Sequence, residues 1–161
     1  MIRNLMKEHP ETGRVDWIGI RPARREPLVS VQAVLAQANR GLEGDHRATK
    51  AGGKRQVTLI QREHLDFIAA LVGLDVLDPG VTRRNLVVSG INLLALRNAR
   101  FRIGAAVLEG VDFCHPCSRM ETALGRGGYN AMRGHGGIIT WVVEEGEIRL
   151  GDPLVWVSNA D

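Results

Sequence analysis

Both cysteines of the chain lie in one short segment, Cys-His-Pro-Cys-Ser-Arg at residues 114–119. A thiolate is a strong nucleophile and a ligand for soft metals when nearby positive charge lowers its pKa, and His115 and Arg119 could supply that charge. Pro116 stiffens the turn between the two sulfur atoms. The segment is therefore the first candidate for redox, sulfur or metal chemistry. The alternative is a pair of inert core side chains, which is common for free cysteine.

The Cys-x-x-Cys spacing is also that of a thioredoxin-like dithiol. Thioredoxin chemistry requires the motif at an early strand-to-helix junction, followed by further strands and helices. Only 44 residues follow Cys117, and their pattern is that of strands. The position of the motif therefore argues against this function.

A structural zinc site would require four protein ligands. The two cysteines would have to recruit two more from His46, His115, His135 or a carboxylate, and these lie far apart along the sequence. No second ligand pair with the usual spacing accompanies the cysteines, so the sequence gives little support for zinc.

A second polar cluster, Thr82-Arg83-Arg84-Asn85, directly precedes the apolar run Leu-Val-Val. Arginine can bind phosphate through two parallel hydrogen bonds, and asparagine offers both a donor and an acceptor to the edge of a heterocycle. The cluster is typical either of a ligand-binding strand end or of a solvated strand start with ordinary surface arginines. These residues alone leave both interpretations open.

Two glycine-rich segments, residues 41–46 and 134–137, could bring backbone amides close to an anion. Neither contains a phosphate-binding loop or a dinucleotide-binding fingerprint, and glycines of this kind more often only form turns. Residues 41–54 are glycine-rich and charged, and we predict a long surface loop there.

Length and composition predict one folded domain over residues 1–161, with a core from about residue 14 to 157. Apolar residues make up 44% of the chain and the formal net charge is +3, mostly from arginine, which favours a phosphate-bearing small ligand over nucleic acid. The sequence has no apolar run of about 20 residues and no secretory signal. We therefore expect a cytoplasmic protein without a membrane partner, in which the cysteines are reduced.

Short apolar alternations and turn residues predict a mainly β protein with peripheral helices, specifically a closed, mixed β-barrel. One clear helix is indicated by Leu65, Ile68, Ala69 and Val72, with Gly73 as its stop signal. One or two short helices are predicted over residues 119–133, and Glu145-Gly146 is predicted as a tight turn between two strands. The predicted strands are 15–20, 29–33, 56–60, 86–88, 99–103, 106–111, 138–143, 147–150 and 154–157.

Several of these segments, in order along the chain, resemble the MOSC domain, named for the carboxy-terminal domain of molybdenum cofactor sulfurase. The matching pieces are residues 41–46 (GLEGDH), 55–60 (RQVTLI), 83–90 (RRNLVVSG), Pro116-Cys117, and Gly146 with Ile148 and Gly151-Asp152. The resemblance implies a β-barrel, a pocket for a molybdopterin-type molybdenum cofactor and one essential cysteine. That cysteine corresponds to Cys117, as catalytic residue and molybdenum ligand, whereas Cys114 is not general in the family.

The resemblance also implies which other residues contact the cofactor. Arg83 and Asn85 match the family's cofactor donors, Arg84 and Asp45 lie in the matching segments, and Ser118, Arg119 and His115 flank the cysteine. Molybdenum accepts a soft thiolate as a further ligand, and the cofactor's phosphate requires positive charge such as that of Arg83. Pyridoxal phosphate, the cofactor of the sulfurase's companion domain, is not expected, because Lys50 and Lys54 lack the surroundings of a Schiff-base lysine.

Three functions remain open. The first is a molybdenum-dependent reductase of N-hydroxylated small molecules, in which the metal supplies two electrons and the N–O bond breaks as water leaves. The second is a sulfur transferase, in which Cys117 carries a persulfide for metal-sulfur cofactor assembly. The third is a non-catalytic cofactor-binding module. Because the sequence has no flavin, nicotinamide or iron–sulfur motif, a reductase would need a separate electron-donor protein, and a carrier would need a desulfurase as sulfur donor.

Overall fold

Eleven strands and four helices make up the structure, a computed structural model that describes residues 1–160. The strands are β1 (Gly13–Ile20), β2 (Val29–Ser30), β3 (Ala33–Gln37), β4 (Gly41–Leu42), β5 (Val57–Gln61), β6 (Leu86–Ser89), β7 (Ala99–Ile103), β8 (Ala106–Phe113), β9 (Ile138–Glu144), β10 (Gly146–Arg149) and β11 (Pro153–Asn159). The helices are α1 (Ile2–Leu5), α2 (Arg62–Val72), α3 (Ser118–Leu124) and α4 (Gly128–Met132). Short 3₁₀ helices span His46–Thr49, Pro79–Thr82 and Leu93–Leu96.

Seven strands close into a barrel in the order β11-β7-β8-β9-β5-β6-β1, and β1 pairs with β11 to complete the circle. Only β5 and β6 run parallel, so the barrel is mixed. Closure leaves no free edge among these strands and fills the interior with fully buried side chains, including Leu59, Leu86, Phe101 and Leu108. The predicted mainly β, closed and mixed barrel is confirmed.

Helix α2 forms the crossover between parallel strands β5 and β6. Leu65, Ile68 and Ala69 are buried, as their helical spacing predicts, and the helix ends at Gly73, whose φ of 77° favours glycine. Helices α3 and α4 pack beside α2 over the outer face of β5 and β6, where they form a second apolar cluster. No helix among residues 1–160 is both long and apolar enough to cross a membrane.

Two local predictions are wrong. The segment at 41–54 is not wholly a surface loop, because Gly41 and Leu42 form buried strand β4 and Asp45 is 3% exposed. A Cβ at Gly41 would lie 2.6 Å from the carbonyl oxygen of Gln56, so this glycine allows close packing of the backbone. The turn at Glu145-Gly146 does not join a hairpin, since β10 pairs with β3 in a separate three-stranded sheet.

Candidate cofactor-binding site

A polar pocket, hereafter the inner pocket, lies where several strands of the barrel begin or end. Arg21 follows β1, Thr58 lies in β5, residues 83–85 precede β6, and Cys117 follows β8. The pocket has a volume of about 80 Å³. Its lining residues are Arg21, Asp45, His46, Arg47, Arg55, Thr58, Arg83, Arg84, Asn85, Cys117, Arg119 and Met120.

Arg84 is a buried link between this pocket and the cysteine segment. Its Nε donates to the carbonyl of Gly136 at 2.8 Å and its Nη1 to Thr82 at 2.8 Å. Its Nη2 donates to the carbonyls of Cys114 and His115 at 3.3 and 3.4 Å. Burial lowers the pKa of Arg84, and four carbonyl oxygens offset part of its lost hydration. Arg84 therefore ties the backbone at Cys114 and His115 to that of Gly136 and Thr82.

Asn85 and Asp45 are buried and hydrogen-bonded to the backbone. Asn85 Oδ1 accepts from the backbone N–H and the hydroxyl of Thr58, and its Nδ2 donates to the carbonyl of Gly19 at 3.0 Å. Asp45 Oδ1 accepts from the backbone N–H of Arg21 at 2.7 Å, and its other oxygen accepts from Arg47 N–H at 3.3 Å. These two side chains fix the neighbouring strand ends.

Three buried polar atoms in the inner pocket have no hydrogen-bond partner among the described residues: Arg21 Nε, His46 Nδ1 and Arg83 Nη2. Buried donors without partners are costly, which makes them a mark of a missing ligand or ordered water. Burial, followed by the positive charge of Arg83, lowers the pKa of Arg21 to about 10. An anion in this pocket would pair with the free donors and relieve that repulsion.

The residues around the cysteine divide between two cavities. Cys117 is exposed at the inner pocket and directly precedes α3, and Arg119 lies on that pocket as well. Cys114 is buried, and with His115 it lines a separate cavity of about 180 Å³ whose lining also includes Phe113. The inner pocket thus brings together six of the predicted site residues, Asp45, Arg83, Arg84, Asn85, Cys117 and Arg119, whereas Ser118 and His115 lie outside it.

A wider cleft of about 460 Å³, hereafter the outer cleft, adjoins the inner pocket. The two cavities share Arg21, Arg83, Arg119 and Met120. A cleft of this size is in the range that accommodates small organic molecules. Its remaining lining residues are Arg25, Glu26, Pro27, Leu28, Asp78, Gly80, Val81 and Ala123.

Sequence reasoning missed Arg21, Arg47 and Arg55 as pocket residues. Arg21 is 7% exposed and directly follows β1. Its position at a strand end, like that of Arg83, was the available signal. Among residues 1–160, no group of three or more His, Cys, Asp or Glu is arranged to hold a metal ion.

Comparison with solved structures places this barrel among known folds. The YuaD protein from Bacillus subtilis superposes with a TM-score of 0.75 at 19% identity, covering 89% of this chain and 94% of that one. YiiM from Geobacillus stearothermophilus superposes with a TM-score of 0.73 at 19% identity, covering 90% of this chain and 75% of that one. YiiM from Escherichia coli superposes with a TM-score of 0.71 at 22% identity, covering 94% of this chain and 72% of that one. At these identities the similarity establishes the fold.

No curated protein matches the sequence. The family model described as the MOSC domain matches residues 45–155, which include Asp45, the Arg83–Asn85 cluster and Cys117. This match covers more than half of the chain and the greater part of the barrel. The chain therefore belongs to the MOSC domain family.

Proposed function

We propose that this protein is a molybdenum-cofactor-dependent reductase of N-hydroxylated small molecules, with Cys117 as the protein ligand of the metal. The observation that carries the proposal is the inner pocket itself. It combines an exposed thiol with Arg21 and Arg83, whose buried donors have no partner among the described residues. A molybdopterin-type cofactor presents a phosphate and a thiol-binding metal, so both halves of this donor set fit it.

Arg83 and Arg21 would bind the phosphate, and Arg47, Arg55 and Arg119 would add positive charge around it. Three other pocket residues, Arg84, Asn85 and Asp45, are hydrogen-bonded to backbone atoms of the protein. Their role would be to hold the strand ends and the cysteine segment in position. Cys117, whose side chain is exposed, would supply the thiolate that binds the metal. When bound, the cofactor supplies the two electrons that break the N–O bond.

Cleavage of the N–O bond to an amine and water also consumes two protons. His46 lines the inner pocket, and its pKa is lowered by burial and by the nearby charges of Arg47 and Arg21. A lowered pKa leaves the imidazole largely unprotonated near neutral pH, so His46 would pass on a proton taken up from solvent and not hold one in reserve. The substrate would enter through the outer cleft, which opens onto the same residues.

The exposure of Cys117 supports a second candidate function, a persulfide carrier. A thiol at a pocket mouth is accessible to another protein, and the same thiolate could accept sulfane sulfur from a desulfurase and pass it to a cofactor. Mass spectrometry after incubation with a cysteine desulfurase and cysteine would detect the added sulfur on Cys117. Cys117→Ser would not gain it.

The reductase proposal is tested with protein purified from a host that makes molybdopterin, using a reduced dye as electron donor and an N-hydroxylated amidine as substrate. We expect the wild type to form the amidine, Cys117→Ser to lose activity, and Cys114→Ser to retain most of it. Equal loss in both variants would favour dithiol chemistry. Cofactor retention without reduction or sulfur transfer would indicate a binding module.

A further inference from the structure

The outer cleft carries positive charge that its own chain leaves unpaired. Four arginines line it, Arg21, Arg25, Arg83 and Arg119. Within the part of the chain that the structure describes, none of the four has a carboxylate oxygen within 4 Å, whereas six other arginines form ion pairs. Unpaired guanidinium groups on a concave surface favour a ligand that carries an anionic group.

The two carboxylates of the cleft lining do not neutralise these arginines. Asp78 Oδ1 accepts a hydrogen bond from the backbone N–H of Gly80 at 2.8 Å, so this side chain caps the 3₁₀ helix Pro79–Thr82. Glu26 is exposed, and no cation of residues 1–160 lies within 4 Å of its carboxylate. Four arginines and two carboxylates leave the lining with an excess of positive charge.

Two of the four arginines have a left-handed backbone conformation. The φ angle is 70° at Arg25 and 63° at Arg83. The other non-glycine residues with positive φ in the described chain are Asn39 and Asn98, and asparagine tolerates this conformation better than most residue types. Strained positions of this kind cluster at ligand-binding sites. Because Arg83 already belongs to the inner pocket, Arg25 is the strained arginine that has no assigned role.

A short turn fixes Arg25 at the cleft. The N–H of Glu26 donates to the carbonyl of Ala23 at 3.2 Å, and Pro22 and Pro27 restrict the backbone on both sides of the turn. Arg25 lines the outer cleft but not the inner pocket. Its guanidinium is therefore on the substrate side and not among the donors to the cofactor's phosphate.

Much of the remaining cleft lining is apolar. It includes Leu28, Val81, Met120 and Ala123. An apolar wall suits the carbon skeleton of a small organic ligand, while a few polar groups fix its orientation. The planar guanidinium of arginine matches the two oxygens of a carboxylate. The lining thus fits a molecule with an apolar body and a carboxylate at one end.

We propose that the outer cleft selects N-hydroxylated substrates that carry a carboxylate, and that Arg25 binds this carboxylate. The inference rests on the proposed reductase function, because it names the substrate class of the same site. The cofactor's phosphate engages Arg21 and Arg83, so Arg25 stays available to the substrate. With the carboxylate at Arg25, the apolar body lies along the wall of the cleft and the N-hydroxylated end is directed to the inner pocket.

Binding and turnover, measured on the same cofactor-loaded protein, test the proposal. The probes are 4-carboxy-N-hydroxybenzamidine and its 4-carboxamide, a neutral molecule of nearly the same size. We expect the wild type to bind the carboxylate about fivefold more tightly in calorimetry, the upper range for one exposed ion pair. Arg25→Met should lower this ratio to about one, and Arg25→Lys should restore part of it. Arg24→Met, the matched control, should keep the wild-type ratio.

Equal affinity of the wild type for the two probes would overturn the proposal. An unchanged ratio in Arg25→Met, or the same loss in Arg24→Met, would also overturn it. Turnover separates this inference from the reductase function. If neither probe is reduced although the carboxylate binds through Arg25, the carboxylate site stands and the reductase function is wrong. If both probes are reduced with equal KM, the reductase function stands and Arg25 does not select the substrate.

Discussion

The inner pocket and the outer cleft share four residues but are built in different ways. The inner pocket lies at barrel strand ends, and its buried polar groups Arg84, Asn85 and Asp45 are tied to backbone atoms. The outer cleft is formed largely by connections: the mostly exposed residues 25–28 and the half-buried 3₁₀ helix Pro79–Thr82. A rigid, charged pocket suits the tightly held phosphate and metal of a cofactor, whereas a cleft between loops suits an exchanging substrate.

The largest difference between the two cavities should be in stability. Arg84→Met removes the charged donor from four backbone carbonyl groups, so we expect the free energy of unfolding to fall by about 3 kcal/mol or more. Arg25→Met, in the exposed wall of the outer cleft, should change it by less than about 0.5 kcal/mol. Urea denaturation measures both. A similar loss of unfolding free energy in Arg84→Met and Arg25→Met would contradict the difference in construction between the two cavities.

The second effect concerns the close packing behind the cysteines. A Cβ at Gly136 would overlap the carbonyl oxygen of Cys114, so Gly136→Ala should destabilise the protein by about 2 kcal/mol and displace the cysteine segment. Gly53→Ala is the control, because a Cβ there meets nothing within 4 Å. Denaturation and the alkylation rate of Cys117 would reveal the change. If Gly136→Ala and Gly53→Ala had the same free energy of unfolding and the same Cys117 alkylation rate, the close packing behind the cysteines would not matter.

The third effect is a pH dependence that belongs to the inner pocket. The pKa of His46 is lowered in the folded state from 6.5, chiefly by burial, so below about pH 6.5 the unfolded chain binds more protons than the folded one. Stability should therefore fall as the pH decreases through this window, and His46→Gln should reduce the slope. Part of the slope should remain in this variant, because burial also lowers the pKa of His64. Thermal unfolding between about pH 7 and 5 measures the slope, with the exposed His115→Gln as control.

The smallest structural effect is expected in the outer cleft. Arg25→Ala should leave stability and molybdenum content unchanged but raise KM several-fold, since Arg25 lines only the outer cleft. Arg24→Ala is a matched control, because Arg24 is the exposed neighbour of Arg25 and lines neither cavity. Steady-state kinetics compares the two variants. A loss of molybdenum from Arg25→Ala would mean that the division between cofactor pocket and substrate cleft is wrong.

Local patterns could predict much of the fold but less of the site. The strand Ala99–Ile103 and the end of α2 at Gly73 follow from alternation and helix-stop signals. The pairing of β10 with β3 could not be predicted, because it joins segments more than 100 residues apart and local turn residues favour a hairpin. Strand β4 could not be predicted from composition. Its Gly41 is required because the backbone there packs closely against Gln56, and in the sequence such a glycine looks like a loop residue.

The same limit applies to the site residues. Cys117 and Arg83 could be identified from their motifs, but the motif could not tell that Arg84 turns inward to carbonyl groups while Arg83 keeps a free donor. Arg83 adopts a φ of 63°, which reverses the chain locally and separates the two neighbouring arginines. Arg21 reaches the same pocket from a distant strand, so only the closed barrel brings it there.

The most direct test of the account is the molybdenum and pterin content of protein purified from a molybdopterin-competent host. We predict that the wild type and Arg24→Ala retain both, that Cys117→Ser loses molybdenum, and that Arg83→Ala loses the whole cofactor because its phosphate donor is removed. A wild type without molybdenum or pterin, or an Arg83→Ala variant as fully loaded as Arg24→Ala, would contradict the assignment of the inner pocket as the cofactor site.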